Sequence, residues 1–83
     1  MSRISVQAPF PGVFYRRPSP EAAPFAEPGE PLSPESVIGL LEVMKQFAEI
    51  TAGEQGSLVQ FEVEDGAVVE AGQVIAVLEG GDA

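Results

Sequence analysis

From Ser57 to Glu64 apolar and polar residues alternate, with Val59, Phe61 and Val63 on one side and Gln60, Glu62 and Glu64 on the other. A period of two is the mark of a half-buried strand. Asp65-Gly66 follows as a tight-turn signal. Ala71-Gly72 is a second break, and Val74-Ile75-Ala76-Val77-Leu78 reads as a buried strand closed by Gly80-Gly81. The second half of the chain is therefore expected to be β throughout.

The first half is ambiguous by pattern alone. Ser33-Pro34-Glu35 has the form of a helix start, with Pro at the first helical position. Val37, Leu40, Leu41, Met44, Phe47 and Ala48 then fall at helical spacing, as one apolar stripe. An internal repeat argues against that helix. Shifting the chain by 37 positions pairs Glu27 with Glu64, Gly29 with Gly66, Val37 with Val74, Ile38 with Ile75, Leu41 with Leu78 and Glu42 with Glu79. The Val74–Glu79 copy is six residues long and stops at Gly-Gly, too short for a stable helix. Homologous halves share a fold, so Val37 to Val43 is expected as a strand, Gln46 to Thr51 as its return, and Met44-Lys45 as the hairpin tip. Upstream, Pro11-Gly12-Val13 corresponds to Gln55-Gly56-Ser57 at a shift of 44, so the first half carries a seven-residue insertion between Gly12 and Glu27. That stretch holds the Pro-rich segment Arg16 to Phe25.

Composition narrows the chemistry. At 83 residues the chain is one domain, close to the size at which a single core suffices without a staple. There is no Cys and no His, which excludes disulfides, Cys or His metal sites and nucleophilic catalysis by either residue. Thirteen acids against four bases give a net charge of −9, which repels nucleic acid and anionic membranes and favours electropositive protein surfaces. No apolar run reaches the roughly 20 residues of a membrane span, and the N-terminus lacks a secretory core. The expectation is a soluble cytoplasmic module with one domain over 1–83, ordered over about 6–79. Lys45 is the only lysine, and neither Met nor Lys is a favoured hairpin-tip residue, where Asn-Gly or Asp-Gly is usual. Local rules broken at one spot tend to mark function.

Pro9-Phe10-Pro11-Gly12-Val13-Phe14-Tyr15-Arg16, Pro18-Ser19-Pro20-Glu21-Ala22-Ala23-Pro24-Phe25, Gly29 and Glu42-Val43-Met44-Lys45 together resemble the biotinyl domain of the acetyl-CoA carboxylase carriers, within the biotinyl/lipoyl attachment family. The similarity runs from about Val6 to Glu79 and includes that group's extra thumb, here about 16–25. The resemblance implies an all-β fold, a flattened barrel-sandwich of two four-stranded antiparallel sheets with pseudo-two-fold symmetry and a protruding Pro-rich thumb loop. It implies biotin, joined covalently to Lys45 by a biotin protein ligase. It implies a biotin carboxylase that loads a carboxyl group and a carboxyltransferase that unloads it onto an acyl-CoA, as in malonyl-CoA and fatty acid synthesis. The chain itself would be a non-catalytic carrier, bacterial in type, and a plastid origin after transit-peptide removal is compatible with the same resemblance.

By the same resemblance, Glu42, Val43 and Met44 are candidate contacts around the attachment site, Met44 in particular for the ligase. Ser19, Pro20, Glu21, Ala22 and Ala23 are candidate thumb contacts with the biotin ring, the plain alternative being a stiff surface loop. Phe14, Phe25 and Phe61 are expected to pack, and Glu62, Glu64, Asp65 and Glu70 to form a solvated face. The group usually has Ala where Val43 stands and Met or Leu where Gln46 stands, which bears on the rate of ligation. The sequence does not include the long N-terminal region and Ala/Pro linker of such carriers. The expectation is therefore either an excised domain or a naturally short carrier serving another biotin-dependent carboxylase, with Met1 and the Gly80–Ala83 tail mildly favouring the latter. A lipoyl carrier shares the fold and hairpin but usually has Asp before its lysine. An unmodified interaction module is the remaining alternative.

Overall fold

Eight strands make up the regular structure of the computed structural model, which describes residues 2–80; Met1 and Gly81–Ala83 lie outside the described residues. The strands are β1 (Arg3–Gln7), β2 (Gly12–Tyr15), β3 (Pro31–Leu32), β4 (Val37–Val43), β5 (Gln46–Thr51), β6 (Gly56–Phe61), β7 (Ala67–Val69) and β8 (Val74–Gly80). One antiparallel sheet has the order β1-β8-β6-β3 and the other β5-β4-β2-β7. Exchanging β1 with β5, β8 with β4, β6 with β2 and β3 with β7 converts one order into the other. That is the pseudo-two-fold that the resemblance implied, and it relates the two halves of the repeat. The apolar stripe of Val37–Ala48 folds as a hairpin, and no described residue is helical. Among the described residues no helix is therefore long and apolar enough to cross a membrane.

The core is the repeat made solid. Ile38 and Ile75, Leu41 and Leu78, and Leu32 and Val69 are buried pairs at the 37-residue shift. At the 44-residue shift the buried pairs are Phe14 and Leu58, Val6 and Ile50, and Ala8 and Ala52. The duplication thus extends to β1 and β5, where sequence identity had faded but the apolar phase had not. Burial follows the same order along β4 and β8, residue for residue.

Where the two lobes differ, the differences compensate. Phe14 occupies the place of the smaller Leu58, and Gly39 faces it where the other lobe has Ala76. A Cβ on Gly39 would collide with the Phe14 ring. Gly12 and Gly56 serve one duty in both lobes: a Cβ at either would press on the backbone carbonyl oxygen of Glu42 or Glu79, at 2.7 Å in the case of Gly12.

One strand departs from its expected phase. β6 ends at Phe61, short of Glu64, and its pairing with β8 slips between Leu58 and Gln60. Leu58 is the buried residue before the slip, whereas Val59 is only half-buried; Phe61 and Val63 pack against the core after it. A bulge inserts one residue and switches the face that an alternation presents.

Candidate functional site

Met44 and Lys45 join β4 to β5 in a two-residue turn closed by the Val43–Gln46 pair. Both have positive φ, 52° and 68°, and they are the only described residues other than glycine that do. Two left-handed residues in a two-residue loop match the twist of a hairpin, but side chains with a Cβ make that conformation unfavourable. The turn exposes both side chains, Met44 at 90%. Phe47, 60% exposed, and Phe10, 37% exposed, stand nearby, and with Val43 and Met44 they border an open apolar hollow of about 470 Å³. Val43 and Glu42 are half-buried at the end of β4. Charged lysine with a four-carbon stem, unburied and set beside apolar surface, is an amine that an acylating enzyme can reach.

Behind the tip, the outer face of the β5-β4-β2-β7 sheet carries a second feature. Tyr15 Oη donates to Glu42 Oε1 at 3.1 Å, and the Tyr15 and Phe47 rings lie 6.3 Å apart, centroid to centroid. The hydrogen bond to Glu42, with burial and the charges of Glu42 and Asp65 added, raises the Tyr15 phenol above its ordinary 10.0.

Residues 16–30 connect β2 to β3 without regular structure. The loop is pinched at its base, where Phe25 N–H donates to the Arg16 carbonyl at 2.9 Å. Arg16 fastens that base to the lobe below: its N–H meets Asp65 Oδ1 at 2.6 Å and its Nη2 the Val63 carbonyl at 2.6 Å. Its guanidinium also lies 4.7 Å from the Phe61 ring centroid, within cation–π range. Higher up, Arg17 Nη1 reaches the Ala22 carbonyl at 3.3 Å.

Loop and sheet together enclose a groove of about 300 Å³, at the small end of the range for ligand sites. Tyr15, Leu40 and Phe47 form its apolar side, Arg17, Pro18, Ser19 and Pro20 its loop side, and Asp65 adds a carboxylate. Phe47 belongs to both this groove and the hollow at the tip. At about 3.3 Å per residue, the groove starts some 7 Å along β5 from Lys45. Of the thumb residues singled out by sequence, Ser19 and Pro20 line the groove, whereas Glu21, Ala22 and Ala23 do not. Tyr15, Arg17, Leu40 and Asp65 were not anticipated as groove residues. The alternation of Leu40 and Glu42 across from Tyr15 and Val13 was the available signal, since it places them on one outward face. Glu62, Glu64, Asp65 and Glu70 are exposed, and among the described residues no cluster of three acids could hold a metal.

The sequence matches the family model described as "Biotin-requiring enzyme" over residues 4–78. It is 36% identical over 67 residues to the biotin carboxyl carrier protein of acetyl-CoA carboxylase of Chlamydia trachomatis, covering 81% of this chain and 41% of the relative. The protein of the same name from Haemophilus influenzae is 35% identical over 74 residues, covering 89% of this chain and 48% of the relative. A chloroplastic form from Arabidopsis thaliana is 36% identical over 62 residues, covering 75% and 22%. The chain thus spans less than half the length of these relatives. Among solved structures, the urea carboxylase of Kluyveromyces lactis superposes with a TM-score of 0.76 at 19% identity, over 95% of this chain and 6% of that one. A single-chain, multi-domain long-chain acyl-CoA carboxylase gives 0.78 at 20% identity, over 98% and 7%. These two likenesses establish the fold.

Proposed function

Since the chain belongs to the biotin/lipoyl family of biotin-requiring enzymes, we propose that it is a biotin carboxyl carrier, acylated by biotin on Lys45, for a carboxylase of the acetyl-CoA type. The observation that carries this reading is the placement of the only lysine, exposed on a turn that the backbone disfavours for its residue types. An amine held there is displayed to a ligase without unfolding anything, and Met44 and Phe47 flank it with exposed apolar surface for that enzyme to grip.

The groove suits a cyclic urea. Tyr15, Leu40 and Phe47 would take the apolar side of such a ring, Arg17 and Ser19 can donate to a urea carbonyl, and Asp65 can accept from a urea N–H. Bound biotin would supply a ring nitrogen that accepts and gives up a carboxyl group. The chain's own residues position, shelter and release the arm; they make and break no bond. A tethered carrier gains from high local concentration at two successive active sites, a biotin carboxylase and a carboxyltransferase. Sharing of the fold with lipoyl carriers makes the flank decisive, and Met44, not Asp, precedes the lysine.

The test is intact mass after incubation with ATP and either biotin and a biotin protein ligase, or lipoate and a lipoate ligase. One biotinyl group per chain is expected in the first case, none in the second, and none in Lys45→Arg with either. Acylation by the lipoate ligase alone would transfer the reading to a lipoyl carrier, and no acylation at all would leave an interaction module.

A further inference from the structure

Arg17 is the only cation among the described residues that lines the groove. Its Nη1 makes one long hydrogen bond, to the Ala22 carbonyl, and its Nε is buried with no acceptor. No described acid lies within ion-pair distance of it; the described ion pair of this molecule joins Arg3 to Glu79. Asp65, which shares the groove, is committed instead to the Arg16 N–H. A guanidinium has five donors in a fork that fits a carboxylate, and most of this one's donors have no partner in the fold.

We propose that Arg17 is the receptor for the carrier's cargo: it binds the carboxylate carried on the ring and holds the loaded arm under the thumb more tightly than the empty one. The inference rests on the reading of Lys45 as the biotin site. A neutral urea carbonyl can take a single hydrogen bond from this donor, whereas a carboxylate on that ring is matched by a forked pair of hydrogen bonds between opposite charges, the stronger interaction. Asp65 opposes the same anion, so the two residues set the preference with opposite signs. Holding the cargo has a chemical consequence. Spontaneous loss breaks the bond between the ring nitrogen and the carboxyl carbon; the electron pair stays on nitrogen, which takes a proton from water, and carbon dioxide leaves. Negative charge moves off the carboxylate oxygens as that bond stretches. A guanidinium fixed on those oxygens therefore stabilises the loaded state more than the transition state and slows the loss.

The full chain is biotinylated with ligase and checked by intact mass, then loaded with a biotin carboxylase, ATP and ¹³C-bicarbonate and separated from the enzyme. The ¹³C signal of the cargo is followed in time, and the Arg17 Nε–H resonance is compared before and after loading. The expected results are a shifted Arg17 resonance, faster loss in Arg17→Ala by about tenfold, the rate equivalent of one charge-assisted hydrogen bond, intermediate loss in Arg17→Lys, and slower loss in Asp65→Asn. Because Asn keeps an acceptor for the Arg16 N–H, a merely structural role would not produce that opposite sign. Equal decay in all four proteins with an unmoved Arg17 resonance overturns the proposal, as does acceleration in Asp65→Asn. Failure to gain mass at the first step would instead overturn the biotin assignment beneath it.

Discussion

At the tip, Met44 and Lys45 hold backbone angles that a side chain makes unfavourable by about 1 kcal/mol per residue. On the proposed reading, lysine stands at the second position as the amine to be acylated, and Met at the first as a contact for the acylating enzyme. Met44→Gly should therefore stabilise the fold by ~0.5–1 kcal/mol in urea denaturation, relief of strain being partly offset by chain entropy. Its ligation rate, followed by intact mass, should fall. Behind the tip, Tyr15 is a built-in reporter, because the chain has one tyrosine and no tryptophan. Its phenol is raised above 10.0 by the hydrogen bond it donates to Glu42. Ultraviolet titration of the folded protein should give a midpoint above that of the unfolded chain, and Glu42→Gln should lower it. Since the folded value is the higher, the contribution to stability is complete below pH 10 and is lost as pH rises through the folded value.

Between elements, the two lobes fill equivalent core positions in two ways, with Phe14 against Gly39 in one and with buried Leu58 and Ala76 at the matching positions of the other. Gly39→Ala alone should cost about 1–3 kcal/mol as an overpacked core, measured by thermal or urea unfolding. Adding Phe14→Leu recreates the pairing of the other lobe and should recover most of the loss, a coupling expected only of residues in contact. The same duplication made the β4–β5 hairpin legible in the sequence. Helical spacing from Val37 to Ala48 pointed the wrong way, and the short copy at Val74–Glu79 overruled it. What stayed hidden has physical reasons. A bulge after Leu58 reversed the burial phase of β6, and alternation carries no sign of a one-residue slip. The groove depends on where a Pro-rich loop folds back, which Arg16 decides through Asp65, Val63 and Phe61, all distant in sequence. Arg17 and Asp65 border one groove because of that fastening.

Over the whole molecule, thirteen acids against four bases leave a charge of −9, and acylation of Lys45 would make it −10. Like charges on so small a surface repel one another, with a screening length of about 8 Å at physiological salt. Raising the salt concentration should accordingly increase the thermal midpoint of this chain while slowing its association with a basic docking surface, as temperature scans and stopped-flow binding would record. The proposed carrier role depends on the tip amine being the one that is acylated, and trypsin reads this directly. Cleavage is available at Arg3, Arg16 and Lys45, whereas the Arg17–Pro18 bond resists. Protein isolated after co-expression with a biotin protein ligase should yield an uncut Arg17–Ala83 fragment heavier by one biotinyl group. Complete cleavage after Lys45, with an unmodified Arg17–Lys45 fragment, would contradict it.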